Sequence, residues 1–181
     1  MTTTPNRRQL IAGAAALAAF PSAALAQSKS VLDRLREETS GRIGLAVYDS
    51  GTGRRYFDGA EARFAMCSTF KVPLAAAVLA RADRGEIDLK REIRFSEADL
   101  LDYAPVVRAN LAKGALPIET LLEAAVAMSD NSAANLVFGQ ISGPRGLTQF
   151  IRSAGDVLTR SDRDEPTLNN VRNGEVRDTT T

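Results

Sequence analysis

A long stretch without a sustained hydrophobic period, Gly155–Asp178, restricts how this chain folds more than any other feature. It is polar and contains Pro166 together with several asparagines and glycines. Irregular segments of this length are uncommon in compact domains, where they are usually functional or disordered. Its charges alternate in sign, so internal ion pairs are available to hold it together. We therefore expect an irregular loop that charged side chains stabilise.

The region before this loop contains both helix and strand patterns. Val31–Glu37 has apolar positions at helical spacing, which indicates an amphipathic helix. Arg42–Asp49 and Arg54–Phe57 have strand character, and the turn Ser50-Gly51-Thr52-Gly53 between them predicts a β-hairpin. Residues 68–154 are then mostly helical. The predicted helices start at Ser68 and run to near Gly85, follow an N-cap at Ser96 over Glu97–Leu101, and cover Ile118–Met128, Asn131–Ile141 and Gly146–Ala154.

The amino-acid composition restricts the kinds of functional site that the chain can form. The chain is 44% apolar and 25% charged, as soluble globular proteins are, and its net charge of +1 does not favour nucleic acid or an anionic membrane. It has no histidine, which excludes a Ser-His-Asp triad and zinc sites built on imidazole. A serine nucleophile must therefore be activated by lysine or by a carboxylate, and we expect neither a metal nor a cofactor.

The first 26 residues have the three parts of a bacterial secretory signal. Arg7 and Arg8 form the charged start, Leu10–Phe20 is the apolar run, and Ala24-Leu25-Ala26 is the cleavage site. The alternative is a membrane anchor, but the apolar run is shorter than the roughly 20 residues that span a bilayer. The arginine pair resembles a twin-arginine signal, and the ordinary secretory route also fits. We expect export to the periplasm and no stable membrane anchor.

The first chemical motif, Ser68-Thr69-Phe70-Lys71, begins a predicted helix. Positions i and i+3 of a helix share one face, so the hydroxyl of Ser68 and the amine of Lys71 come together. The positive end of the helix dipole lies beside Ser68 and stabilises negative charge that develops there. This arrangement suits acyl transfer. The same pattern also fits a helix cap followed by a solvated lysine.

Two further segments hold candidate polar residues. Ser129-Asp130-Asn131 lies at a predicted turn between helices, where all three residue types are also favoured as caps. In the irregular loop, Glu165 and Asn169 are spaced so that they can hold a water between them. A partly shielded glutamate at such a site is a good general base. Read alone, a charged loop more commonly forms plain solvated surface.

Taken together, the three segments resemble the class A serine β-lactamases in their order and spacing. Ser-x-x-Lys is followed by Ser-Asp-Asn, and then by Glu-Pro-x-Leu-Asn at residues 165–169. The resemblance implies an α/β plus all-α, β-lactamase/transpeptidase-like fold, with residues 27–181 as the N-terminal part of the domain and residues 155–178 as its Ω-loop. It also implies a hydrolase that opens the ring of penicillin- and cephalosporin-type antibiotics and so confers resistance.

The resemblance assigns roles to individual residues. It implies that Ser68 attacks the lactam carbonyl, with Lys71 and Glu165 both handling protons and either of them able to take the serine proton. Ser129 passes a proton to the leaving ring nitrogen. The resemblance also implies substrate-contacting or supporting roles for Asn131, Asn169, Asn135 and Tyr103, and loop-closing ion pairs Arg163–Asp178 and Arg160–Asp162.

The chain departs from the family pattern after Asp178. Lys-Thr-Gly does not occur in the 181 residues. In the family, the strand with this tripeptide walls one side of the pocket, helps to bind the substrate carboxylate and supplies one oxyanion-hole amide. Losing one such donor costs about 2.7–4 kcal/mol of transition-state stabilisation. We therefore predict a fragment with an incomplete fold, in which the C-terminal strands and helix are missing, and no turnover by the fragment alone.

Cys67, directly before the nucleophile, is the only cysteine. No intrachain disulfide is possible within these residues, so the thiol is either a small buried hydrophobe or one half of a pair with a cysteine outside them. In the family, a cysteine at this position pairs with a downstream cysteine in carbapenem-hydrolysing members. It also occurs in members without that activity, so both interpretations stand.

Three other functions compete with a hydrolase. A penicillin-binding transpeptidase or carboxypeptidase shares Ser-x-x-Lys, but Glu165 and Asn169 favour fast deacylation and hence hydrolysis. A non-catalytic β-lactam sensor predicts a membrane anchor and a signalling domain, which the removable signal argues against. A purely structural helical domain requires three coincidences in the right order. We expect a monomer whose partners are a small β-lactam substrate and the export machinery.

Overall fold

The computed structural model describes residues 31–181, so the predicted export signal lies outside the described residues. The chain divides into two compact units, the first ending at Ala62 and the second formed by Arg63–Thr181. In the first unit, helix α1 covers residues 31–39, as the helical spacing predicts. It is followed by strands β1 (Leu45–Tyr48) and β2 (Arg55–Asp58).

The first unit contains the predicted hairpin. β1 and β2 pair in antiparallel fashion, with Ala46 opposite Phe57. Asp49 organises the turn, since its Oδ1 accepts the Gly51 N–H at 2.9 Å. Gly53 has a φ of +71°, a conformation that glycine adopts without strain. The hairpin prediction is confirmed.

The second unit combines helices with short strands. Its helices are α2 (Lys71–Asp83), α3 (Pro105–Ala109), α4 (Ile118–Ala127), α5 (Asn131–Phe138) and α6 (Gly143–Ser153). Its strands are β3 (Phe64–Ala65), β4 (Glu92–Arg94), β5 (Ala115–Pro117) and β6 (Thr179–Thr180), and β3 pairs with β6 and β4 with β5, both antiparallel. Among the helices of residues 31–181, none is both long and apolar enough to cross a bilayer.

The hydrophobic core of the second unit lies where α2, α4, α5 and α6 meet. Its fully buried side chains include Leu74, Val78, Leu121, Val137 and Leu147. Phe70, just before α2, stacks on Phe138 at the end of α5, with ring centroids 5.3 Å apart. Each such burial stabilises the fold by about 1.5–3 kcal/mol. The packing fixes α2 against α5, the two helices that begin at the candidate site.

The predicted helices are found with some changes at their ends. α5 begins at Asn131 as predicted but ends at Phe138, and α6 begins earlier than predicted, at Gly143. The helix predicted over Glu97–Leu101 is wrong, because only a single 3-10 turn forms at Glu97–Asp99. The Leu101 N–H donates instead to Ser132 Oγ at 2.8 Å, so a tertiary hydrogen bond takes the amide that a longer helix would use.

Strands β3 and β6 join distant parts of the second unit. Phe64 lies opposite Thr180 in this pair. The Met66 N–H then donates to the Asp178 carbonyl at 2.9 Å, two residues before Ser68. The end of the irregular loop is therefore attached to the segment that leads into Ser68.

Gly146, in the first turn of α6, permits a close approach that no other residue allows. A Cβ added there would lie 1.5 Å from the Ile141 carbonyl oxygen, which belongs to the backbone and cannot rotate away. We expect Gly146→Ala to lower the free energy of unfolding by about 1–3 kcal/mol or more, as overpacking does. Urea unfolding of the product of the complete reading frame measures this loss.

Gly139→Ala is the matched control for that substitution. Gly139 has a φ of −57°, and its added Cβ would meet only the Leu136 carbonyl at 3.3 Å. We expect a much smaller change in stability. Equal losses for the two variants would contradict the steric argument.

Candidate active site

Ser68 and Lys71 meet at the start of α2. Ser68 lies in the 3-10 turn Cys67–Phe70, which runs directly into the helix. Lys71 Nζ is 3.2 Å from Ser68 Oγ, the contact that the i, i+3 spacing predicts. Ser68 is exposed, whereas the Lys71 side chain is only 2% exposed. The accessible hydroxyl of Ser68 thus contacts the buried amine of Lys71.

The Lys71 amine is surrounded by oxygens from the segment between α4 and α5. Its Nζ lies 3.1 Å from Ser129 Oγ, 2.9 Å from the Ser129 carbonyl and 2.6 Å from Asn131 Oδ1. Ser129 Oγ in turn lies 2.9 Å from Ser68 Oγ. The two hydroxyls and the amine therefore form a closed triangle, through which a proton can move in either direction.

Asp130 holds this segment in place. Its carboxylate is fully buried and caps α5 by accepting the Ala133 N–H at 2.9 Å. The other carboxylate oxygen accepts the N–H groups of Val106 and Val107 at 2.8 and 3.0 Å. Of the three residues considered as helix caps, Asp130 therefore has that role, while Ser129 and Asn131 contact Lys71. Ser129 has a φ of +55°, which turns it toward the lysine.

Glu165 lies on the other side of Lys71 and is fully buried. Its Oε1 is 3.3 Å from Lys71 Nζ, within ion-pair distance, but the two atoms do not form a hydrogen bond. Its Oε2 accepts from Asn169 Nδ2 at 2.7 Å. Asn135 fixes the Glu165 backbone from α5, because its side chain donates to the Glu165 carbonyl and accepts the Glu165 N–H. One buried carboxylate oxygen is therefore left without a hydrogen-bond donor among residues 31–181.

The irregular loop is closed by the predicted Arg163–Asp178 pair. Asp178 is fully buried, and its Oδ2 accepts from Arg163 Nε at 2.6 Å. Its Oδ1 accepts the backbone N–H groups of Asp162 and Arg163 at 2.7 and 2.9 Å. A single carboxylate thus ties the last residue of the loop to residues 162 and 163.

The second predicted pair, Arg160–Asp162, is also present, with Arg160 Nε 2.8 Å from Asp162 Oδ2. Burial raises the pKa of the Asp162 carboxyl, but hydrogen bonds from Arg160 and the Asp178 N–H, with the nearby Arg177 charge, outweigh it and hold that pKa below its usual range. The carboxylate therefore stabilises the fold above the unfolded pKa of about 3.9. This contribution is lost as the pH falls through the lower, folded-state pKa.

Asp178→Asn tests the closure of the loop. The amide oxygen can keep the two backbone N–H groups, but the charged bond to Arg163 is lost. Hydrogen bonds to charged groups contribute about 1.5–3 kcal/mol, so we expect a loss of that size in urea unfolding. Asp164→Asn is the control, because Asp164 lies exposed in the same loop. A loss at Asp164 as large as at Asp178 would contradict this prediction.

Tyr103, the last predicted site residue, lies at the surface with 55% of its area exposed. Its carbonyl accepts the Asn131 N–H at 3.0 Å. The structure thus brings Ser68, Lys71, Ser129, Asn131 and Glu165 into one cluster, with Asn135 and Asn169 holding Glu165. Tyr103 is linked to the cluster through its backbone.

Sequence reasoning missed some residues that shape the site. Ser132 and Asp130 each bond to backbone groups far from them along the chain, and no local pattern points to those partners. Glu175 adds to the loop by pairing with Arg177 and lying 3.7 Å from Arg163. Cys67 is an exposed free thiol, so its interpretation as a buried hydrophobe is wrong.

Known proteins match this fold and sequence. A model of the β-lactamase enzyme family matches residues 27–181. An ancestral class A β-lactamase, representing the last common ancestor of Gram-negative bacteria, is 48% identical, with a TM-score of 0.81 over 84% of this chain and 58% of that one.

Two solved structures of β-lactamases from present-day bacteria also match. A β-lactamase from Xanthomonas campestris pv. campestris is 46% identical, with a TM-score of 0.82 over 84% of this chain and 57% of that one. A β-lactamase from Burkholderia vietnamiensis is 45% identical, with a TM-score of 0.81 over 84% and 56% of the two chains. The chain thus spans 56–58% of the length of these relatives. It belongs to the β-lactamase enzyme family, and the relatives whose fold it shares include class A members.

Proposed function

We propose that this protein hydrolyses β-lactams through an acyl-serine intermediate on Ser68. The observation that carries the proposal is the triangle of reactive groups, with Ser68 Oγ 3.2 Å from Lys71 Nζ and 2.9 Å from Ser129 Oγ. Membership of the β-lactamase enzyme family supports the reaction class. The absence of histidine from the chain supports lysine and glutamate as the proton carriers.

Acylation uses all three corners of the triangle. Ser68 Oγ attacks the lactam carbonyl carbon, and its proton leaves toward the Lys71 amine, behind which Glu165 lies. The carbon–nitrogen bond of the ring then breaks. Ser129 Oγ gives its proton to the ring nitrogen and recovers one from Lys71 Nζ, 3.1 Å away. The products of this step are an ester on Ser68 and an opened ring.

Deacylation uses Glu165. Asn169 occupies Oε2, so Oε1 is the oxygen that can accept a proton from water. The water oxygen attacks the ester carbonyl, its proton passes to Oε1, and the carbon–oxygen bond to Ser68 breaks. The proton then returns to the serine. Two hydrogen bonds between the Asn135 side chain and the Glu165 backbone keep the base in position.

The decisive experiment separates hydrolysis from stable acylation. The product of the complete reading frame is mixed with benzylpenicillin, and both intact mass and release of the opened product are followed. We expect continuous turnover with a transient adduct on the peptide that contains Ser68. A permanent adduct without turnover would instead identify a transpeptidase or a sensor, and no adduct at all would refute acyl-serine chemistry.

The 181 residues taken alone are proposed not to turn over β-lactams. Lys-Thr-Gly is absent from them, and the family resemblance gives that tripeptide's strand a wall of the pocket and one oxyanion-hole amide. Loss of one such donor alone slows the reaction about 10²- to 10³-fold. Residues 27–181 assayed with a chromogenic cephalosporin test this, and turnover well above buffer would contradict it.

Export to the periplasm, as a monomer that protects the cell against β-lactams, completes the proposal. The arginine pair and apolar run of residues 1–26 support export. Membership of the β-lactamase enzyme family supports protection against β-lactams. Cell fractionation measures the location. We expect Arg7→Lys with Arg8→Lys to retain the protein in the cytoplasm if the twin-arginine route is used, and to leave export unchanged if the ordinary secretory route is used.

A further inference from the structure

The loop that carries Tyr103 is held by the first turn of α5. Ser132 Oγ accepts the Leu101 N–H at 2.8 Å and donates to the Asp99 carbonyl at 2.8 Å. The neighbouring Asn131 N–H donates to the Tyr103 carbonyl at 3.0 Å. Three bonds from two adjacent residues therefore fix the backbone over residues 99–103.

The chain after Tyr103 is held by the same segment. Asp130 accepts the N–H groups of Val106 and Val107, the first turn of α3. From the outer side, Arg108 Nη2 donates to the Leu101 carbonyl at 2.9 Å. Tyr103 thus lies between two anchored stretches, and the residue itself is 55% exposed.

Ser132 is the least replaceable of these anchors. It is fully buried, and its single hydroxyl both accepts and donates a hydrogen bond. Removing the hydroxyl takes the partner from the part-buried bonds of the Leu101 N–H and the Asp99 carbonyl. A shift of the loop toward solvent would let water replace that partner. Asn131, whose side chain contacts Lys71, keeps its own position through the Asp130 cap.

We infer that Ser132 is a positioning residue that selects substrates through Tyr103. This inference rests on the proposed function. The hydroxyl fixes the loop that carries the exposed aromatic ring, and the ring offers a surface for the acyl side chain of a penicillin. Ser132 takes no part in bond making, because its hydroxyl bonds only to the backbone of residues 99 and 101. Its loss therefore changes the affinity for bulky side chains and leaves the chemistry of the ring unchanged.

The test compares two substrates on the product of the complete reading frame. One is benzylpenicillin, with an aromatic side chain, and the other is aminopenicillanic acid, the same nucleus without it. We expect Ser132→Ala to raise KM for benzylpenicillin about five- to tenfold, the equivalent of one hydrogen bond. For aminopenicillanic acid we expect a change of less than about twofold. Ser153→Ala, at an exposed serine on α6, is the control and should change neither.

A double-mutant cycle shows whether Ser132 acts through Tyr103. In a Tyr103→Ala background, Ser132→Ala should no longer alter the ratio of KM values for the two substrates. The inference would be overturned, and the proposed function left intact, by either of two results. One is that Ser132→Ala still alters the ratio of KM values in the Tyr103→Ala background, and the other is that Ser132→Ala impairs both substrates equally. Failure of the unsubstituted protein to hydrolyse either substrate would refute the proposed function and this inference with it.

A surface variant covers the case in which Ser132→Ala does not fold. Arg108 is exposed, and Arg108→Met keeps its aliphatic stem while removing the bond to the Leu101 carbonyl. We expect the same selective rise in KM for benzylpenicillin, smaller in size. If Arg108→Met leaves the ratio of KM values unchanged while Ser132→Ala is unfolded, the inference is wrong.

Discussion

Ser68→Ala is expected to lower kcat/KM for a chromogenic cephalosporin by at least about 10⁴-fold in the product of the complete reading frame. The substitution removes the hydroxyl that is proposed to form the ester, while Lys71 keeps its contacts with Ser129 and Glu165. Ser68 is exposed, so the fold should be unaffected. Steady-state kinetics measure the activity, and thermal unfolding measures the stability.

The control for this variant is Ser153→Ala, which also replaces an exposed serine with alanine. It should keep wild-type kinetics. A Ser68→Ala protein with more than about a hundredth of the wild-type kcat/KM would assign the reaction to another nucleophile. No mass adduct with benzylpenicillin should form on the variant.

Glu165→Gln is expected to trap the acyl-enzyme. The amide cannot take a proton from water, and a positioned general base contributes about 10²- to 10⁴-fold to a step of this kind. The buried Lys71 amine keeps acceptors on Ser68, Ser129 and Asn131, so the site should remain folded. After mixing with benzylpenicillin, intact mass should show a penicilloyl adduct that persists long after the wild-type adduct has disappeared.

Glu123→Gln provides the comparison, because Glu123 lies exposed on α4. It should turn over benzylpenicillin at the wild-type rate. Two results would count against the assigned role of Glu165. One is hydrolysis by Glu165→Gln at the wild-type rate, and the other is the complete absence of an adduct, which would place the glutamate in acylation instead.

Local spacing was sufficient to predict the parts of the site that depend on one helix. Ser68 and Lys71 meet because positions i and i+3 share a face, and Asn169 reaches Glu165 across one turn of the loop. The hairpin follows from Gly53, which supplies the positive φ that the turn needs. These features depend on residues that are neighbours in sequence.

Local sequence patterns did not predict the contacts between segments that are far apart along the chain. The buried Asp130 bonds to amides more than twenty residues away. Ser132 keeps the turn at Glu97–Asp99 from extending, because it accepts the Leu101 N–H that a longer helix would use. The family resemblance implied that Glu165 approaches Lys71, but nothing local in the sequence did so. Strands β3 and β6 are 2 residues each, too short for alternation to be recognised. In each case tertiary hydrogen bonding decided the outcome.

The pairing of β3 with β6 has a consequence for how the protein is made. The segment that leads into Ser68 obtains its partner only from Asp178 and Thr180, more than a hundred positions later. A ribosome must therefore release almost all of these residues before that contact can close. Contacts of such long range form late and slowly in folding. Ser68 and the residues before it are consequently synthesised well before the strand that pairs with them.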